Sequence, residues 1–88
     1  WQDEALRIVK PTDGLTYYID QKQQQELELR CQATGDVEYV SWFVNGKFAG
    51  SKNKHEPLFF RPTTGDLKIS CTDDKGRTAR VSVTCKSL

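Results

Sequence analysis

The chain has 88 residues, with 13 Lys+Arg against 12 Asp+Glu and a formal net charge of +1. That is the length of one small domain, and such a chain buries only about 60–65% of its unfolded surface, so each large side chain counts. The near-neutral balance leaves no electrostatic footprint for nucleic acid and no polybasic membrane anchor, and no apolar run approaches the ~20 residues of a membrane span. Two Trp, three Tyr and four Phe are too many aromatics for a disordered tail. The stretch opens on Trp1 with no secretory signal, and it is read as a single domain, 1–88, excised from a larger protein.

Period-2 alternation runs through most of the chain. ALRIVKP is a short first strand, and Thr12-Asp13-Gly14 is a turn in which Asp bonds its own backbone and Gly supplies positive φ. Leu15 to Ile19 is a second short stretch carrying Tyr17 and Tyr18, and the apolar-free DQKQQQ is a surface connection. From Glu26 to Ala33 the residues Leu27, Leu29 and Cys31 share one face. From Val37 to Val44 the inward residues are Val40, Trp42 and Val44, with Tyr39, Ser41 and Phe43 outward.

Asn45-Gly46 follows at once and reads as a type I′ hairpin, with Lys47 to Ala49 as a short return strand and GSKNKHE as an exposed loop. Leu58, Phe59 and Phe60 form another short stretch, closed by a Pro62-to-Gly65 turn. Leu67, Ile69 and Cys71 share a face of the next strand. Asp73-Asp74-Lys75-Gly76 is a tight turn with solvated acids, and Ala79, Val81, Val83 and Cys85 share a face of the last strand. About seven short strands with turn signals every ~8–12 residues predict an all-β, antiparallel, immunoglobulin-like sandwich. Its expected core is Leu27, Leu29, Cys31, Val40, Trp42, Val44, Leu67, Ile69, Cys71, Val81 and Val83.

Three cysteines allow at most one bridge within the chain. In a sandwich of this topology Cys31 and Cys71 return to the same end, while Cys85 travels to the opposite end. Cys31–Cys71 is therefore the possible disulfide, and two buried thiols are the alternative. No Cys/His cluster points to a metal, no cofactor loop is present, and His55 is a solvated loop residue rather than a catalytic base. No catalytic residues are assigned.

The ordered pieces Pro11, Asp13, Gly14; Trp42, Phe43, Val44, Asn45, Gly46; Phe60, Pro62, Gly65; and Asp73, Gly76, Arg77 resemble a known module. It is the domain at the C-terminus of bifunctional penicillin-binding proteins of the 1C type, the penicillin-binding protein C-terminus family. Phe60 stands where Trp is expected, and the cysteines stand where aliphatics are usual. The resemblance implies a non-catalytic accessory domain of a peptidoglycan synthase that is anchored in the bacterial inner membrane and faces the periplasm. Its glycosyltransferase and transpeptidase domains would precede this chain, and neither K-T-G nor S-D-N occurs here. The partners implied are the neighbouring transpeptidase domain, a periplasmic protein or a peptidoglycan strand, with no nucleic acid and no membrane insertion of this stretch. The alternative is an immunoglobulin-like adhesion or receptor domain of a secreted or surface protein.

A binding module works through outward aromatics. The candidates are Tyr39, Phe43 and Phe48 around the Asn45-Gly46 hairpin, with Tyr17 and Tyr18 as the second choice.

Overall fold

A computed structural model describes residues 5–23 and 25–88. Trp1 to Glu4, and Gln24 of the glutamine-rich connection, lie outside the described residues. The strands are β1 (Leu6–Lys10), β2 (Thr16–Ile19), β3 (Leu27–Ala33), β4 (Tyr39–Val44), β5 (Lys47–Asn53), β6 (Leu58–Phe60), β7 (Gly65–Asp73) and β8 (Thr78–Ser87). One 3-10 turn, Gln21–Gln23, is the helical element among the described residues.

The strands form two sheets, β1-β3-β6 and β2-β8-β7-β4-β5. The count of eight is one above expectation, and β2 departs from the antiparallel rule by running parallel to β8, from Thr16 against Thr84 to Ile19 against Ser87. The turn before β2 makes that crossing possible. Asp13 Oδ1 accepts from the Ser82 N–H at 2.8 Å, and the Gly14 N–H donates to the Ser82 carbonyl at 2.8 Å. The chain is thereby pinned to the second sheet as it leaves the first.

The core lies where the inner faces meet. Leu29, Cys31, Val40, Trp42, Leu67, Ile69, Cys71 and Val83 are buried, and Leu27, Val44 and Val81 are half-buried against them. Alternation is the cause: each of these occupies the inward position of its strand. Ile8, Ile19, Val37 and Cys85 join them although the core expected from alternation omits them. Trp42 is fully buried, and its Nε1–H finds no acceptor among the described residues. An unmet donor of this kind costs about 1–3 kcal/mol, which the burial of so large a ring must exceed.

Two local expectations are corrected. The stretch from Gly50 is not a loop until Asn53, because β5 continues through a bulge. Phe43 pairs with Phe48 and Trp42 with Gly50, so Ala49 is the extra residue, and pairing resumes at Ser41–Ser51. Gly50 has φ 155, and a Cβ there would meet Leu58 Cδ1 at 3.1 Å, so glycine lets β5 close against β6. The second correction concerns Asp73, expected to be solvated, which is buried at 5% exposure. Its side chain turns back into the hairpin because three donors there need an acceptor.

Candidate functional site

The Asn45-Gly46 turn holds φ of 52 and 81, the left-handed pair of a type I′ hairpin. Its alignment of β4 with β5 sets Phe43 directly opposite Phe48. The two rings meet edge to face, with centroids 5.8 Å apart and planes at 66°. Phe43 is half-buried by this contact, while Phe48 remains 64% exposed.

Register extends the pair into a row. Phe43 faces Ser70 on β7, and Ser70 faces Arg80 on β8. Lys68 faces Ser82 one step away on the same outer surface, diagonal to Arg80. A shallow cleft of about 270 Å³ opens here, lined by Gly46, Lys68, Ser70, Arg80 and Ser82 among others. Neither Lys68 Nζ nor the Arg80 guanidinium forms an ion pair among the described residues. Beside this row runs a band of hydroxyls, with Ser41 and Ser51 Oγ atoms 3.3 Å apart and Thr72 and Thr78 Oγ1 atoms 3.2 Å apart.

Of the sequence candidates, the structure therefore joins Phe43 and Phe48. Tyr39 shares the face and is 56% exposed, but it stands four residues back along β4, about 13 Å from Phe43. The second-choice tyrosines divide. Tyr17 packs against the core and its hydroxyl accepts the Thr12 N–H at 3.2 Å, while Tyr18 is exposed beside a groove of about 310 Å³ that Pro62 also lines. Lys68 and Arg80 were not among the sequence candidates. Their outward alternation was visible, but the absence of a facing acid depends on cross-strand register.

The opposite end of the sheet is ionic and self-satisfied. Asp73 Oδ1 accepts the N–H groups of Lys75 and Arg77 at 2.9 Å each, and Oδ2 accepts Arg77 Nε at 2.7 Å. Burial raises the Asp73 pKa, but these hydrogen bonds and the guanidinium outweigh it and hold the carboxyl below the usual range. Arg77 also reaches Asp36 at 3.2 Å, and hydrogen bonds from the Thr34 hydroxyl and Arg77 hold Asp36 low as well. Arg77 is raised in turn, first by its bond to Asp73. This is a latch between the β7–β8 and β3–β4 connections, with the Arg77 guanidinium donating to both Asp73 and Asp36.

No group of three or more His, Cys, Asp or Glu residues among those described is placed to hold a metal. Ser51, Lys52, Asn53 and Lys54 do have the S-x-x-K spacing of penicilloyl-serine chemistry. Here the tetrad begins on β5 and runs past its end. Ser51 Oγ donates to the Val40 carbonyl at 3.2 Å and Lys54 Nζ donates to the Thr34 carbonyl at 3.2 Å, so each is engaged with backbone and neither activates the other.

Cys31, Cys71 and Cys85 are buried free thiols in this structure. Cys31 and Cys71 are both buried in the one core cluster, on strands of opposite sheets.

The family described as Penicillin-Binding Protein C-terminus Family matches residues 2–83 of the chain. No curated protein matches it. Among solved structures it is similar to the fibronectin(III)-like modules of Clostridium thermocellum CbhA, at 18% identity and a TM-score of 0.73. That alignment covers 94% of this chain and 98% of that one, a likeness of fold.

Proposed function

The chain belongs to the Penicillin-Binding Protein C-terminus family, and from that premise we propose that it is a non-catalytic accessory module of a bacterial peptidoglycan synthase. The parent is a bifunctional glycosyltransferase/transpeptidase anchored in the inner membrane, and this module stands in the periplasm. The match over residues 2–83 carries the reading. Among the described residues no helix is long and apolar enough to cross a membrane.

Within that role the working surface is the outer face of the five-stranded sheet beside the Asn45-Gly46 hairpin, and its occupant is a peptidoglycan strand. Three features support this choice. Phe48 offers an exposed ring fixed by Phe43, suited to stacking on a sugar. The Ser41, Ser51, Thr72 and Thr78 hydroxyls offer lone pairs to sugar hydroxyl and acetamido N–H groups, and the threonine pair keeps one proton to donate. Lys68 and Arg80, unpaired among the described residues, match the carboxylates of the stem peptides.

The test is co-sedimentation of the 88-residue chain with purified peptidoglycan sacculi. The wild type is expected to pellet with the sacculi, and Phe43→Ala/Phe48→Ser to remain in solution with its β spectrum intact. Wild-type protein left in the supernatant would overturn the glycan reading. The module's role would then be docking to the neighbouring transpeptidase domain or another periplasmic protein.

A further inference from the structure

Two strands from opposite sheets bring thiols together inside the sandwich. Cys31 is the inward residue of β3 next to Leu29, paired across the sheet with Ile8. Cys71 is the inward residue of β7, paired with Trp42 on one side and Ala79 on the other. β3 and β7 belong to different sheets, so the two thiols approach each other across the core of the sandwich, and each shifts the titration of the other. Cys31 Sγ also lies 4.0 Å from the Lys54 carbonyl at the rim, and Cys31 is 8% exposed against 0% for Cys71. Cys85 stands opposite Gly65 at the other end of β7, six residues from Cys71, which is about 20 Å along the strand.

We propose that Cys31 and Cys71 are an oxidisable pair that closes into an inter-sheet disulfide, leaving Cys85 as the lone free thiol. Both side chains point into one core cluster from strands of opposite sheets, so the fold itself brings the pair together for closure. The oxidant is a small-molecule disulfide such as glutathione disulfide. The Cys31 thiolate attacks one of its sulfurs, the S–S bond breaks, and one glutathione thiolate leaves. The Cys71 thiolate then attacks the mixed disulfide at Cys31, and the second glutathione leaves. The two protein thiol protons end on two glutathione molecules, whose disulfide has taken the two electrons.

The order of attack follows from the environment. The Cys71 thiol beside it holds Cys31 below the ordinary thiol range, whereas the neighbouring Cys31 thiol and burial push Cys71 above that range. Burial alone pushes Cys85 up, and it stands apart from the other two thiols at the far end of β7. The cross-link joins β3 to β7 and closes a loop of about 40 residues in the unfolded chain, which is where most of its stabilisation arises. It stands apart from the peptidoglycan reading, since it requires only the placement of the two thiols and an oxidant.

The experiment refolds the 88-residue chain in glutathione redox buffer and, in parallel, under reductant. Oxidised protein is expected to lose about 2 Da, to show one titratable thiol in denaturant, and to yield a peptide linked through Cys31 and Cys71. Its melting temperature should exceed that of the reduced chain by roughly 10 °C or more. Cys85→Ala should retain all of this except the remaining thiol, and Cys31→Ala should lose the redox dependence of melting. Three titratable thiols in oxidatively refolded wild-type protein would overturn the proposal, as would a link through Cys85. The wild-type result decides even where Cys71→Ala does not fold.

Discussion

Two tight turns close hairpins at opposite ends of the five-stranded sheet, and both are equally plain in sequence. Asp73–Gly76 is consumed by its own fold: a buried carboxylate gathers two backbone N–H groups and a guanidinium that also grips Asp36. At Asn45-Gly46 the asparagine is tied to β7, its Oδ1 accepting the Lys68 N–H at 2.8 Å and its own N–H donating to the Lys68 carbonyl at 2.8 Å, but the residues the turn aligns, Phe43 and Phe48, are left facing out. A turn motif therefore tells where the chain reverses, not what that end of the molecule is for. What separates the two ends is whether the flanking polar and aromatic groups have found partners within the domain.

The largest expected effect removes what both ends share. Trp42 pairs with Cys71 toward one hairpin and lies one residue before Phe43 toward the other. Trp42→Ala should cost about 3–5 kcal/mol by opening a cavity in a small core. Against a total of ~5–10 kcal/mol for a domain of this size, the variant should sit near unfolding at both ends together. Urea denaturation followed by circular dichroism measures this. A melting temperature within a few degrees of wild type would show that the ends are stabilised independently.

The next change should break the latch alone. Asp73→Ala leaves donors of Lys75 and Arg77 unmet in a buried turn and should cost about 3 kcal/mol. Its pH signature has a definite sign. The folded-state pKa of Asp73 is depressed, so its contribution is complete above the unfolded carboxylate value near 3.9 and is lost as pH falls through the lower folded value. The stability gap between wild type and Asp73→Ala should therefore be constant from about pH 5 upward and close below about pH 4. A gap that widens as pH falls below about 4 would mean that the carboxylate charge does not hold the latch.

How much of this contrast the sequence exposed depends on the range of the interaction. Leu29, Cys31, Val40, Trp42, Ile69 and Cys71 could be assigned to the core because strict alternation is a property of each strand alone. The hairpin at Asn45-Gly46 was equally legible, since the residues themselves demand positive φ. Ile19 and Cys85 were missed because their burial comes from β2 crossing to lie parallel to β8, a contact between distant segments. Val37 was missed because it precedes β4, held by a turn to the Thr34 carbonyl at 3.1 Å where no periodicity applies. The end of β5 carries no large apolar side chain, so Ser51 to Asn53 read as loop until their pairing with β4 was seen. At the site, alternation pointed Phe43 outward, but the company of Lys68 and Arg80 needed the β4–β7–β8 register.

The aromatic pair should respond in the opposite sense to Asp73. Phe48→Ser removes a ring that is 64% exposed and should change stability by no more than about 0.5 kcal/mol. Phe43→Ala, half-buried against Phe48, should cost about 1 kcal/mol. Both should weaken retention on sacculi by about 5–150-fold, the span of about 1–3 kcal/mol expected for an interface anchor. If Phe43→Ala unfolds the chain, the pair belongs to the core and the contrast between the two ends disappears.

The smallest effect on folding, and the sharpest on the comparison, should come from the cations. Arg77 at the latch has Asp73 and Asp36, so removing it disturbs the fold. Lys68 and Arg80 sit diagonally on neighbouring strands with no ion pair among the described residues. Two like charges so placed repel weakly, and neutralising one relieves that repulsion. Lys68→Gln and Arg80→Gln should therefore leave stability within about 0.5 kcal/mol of wild type, on the side of a small gain. Their consequence belongs to binding. Each should lower affinity for sacculi several-fold in low salt, with the difference shrinking as salt is raised, because exposed charges are screened beyond about 8 Å at physiological ionic strength. Titrating sodium chloride in the sedimentation assay separates this from stacking by Phe48, whose contribution should survive high salt. If retention is salt-independent in wild type, the two cations take no part in recognition, and the aromatic pair carries that end of the sheet alone.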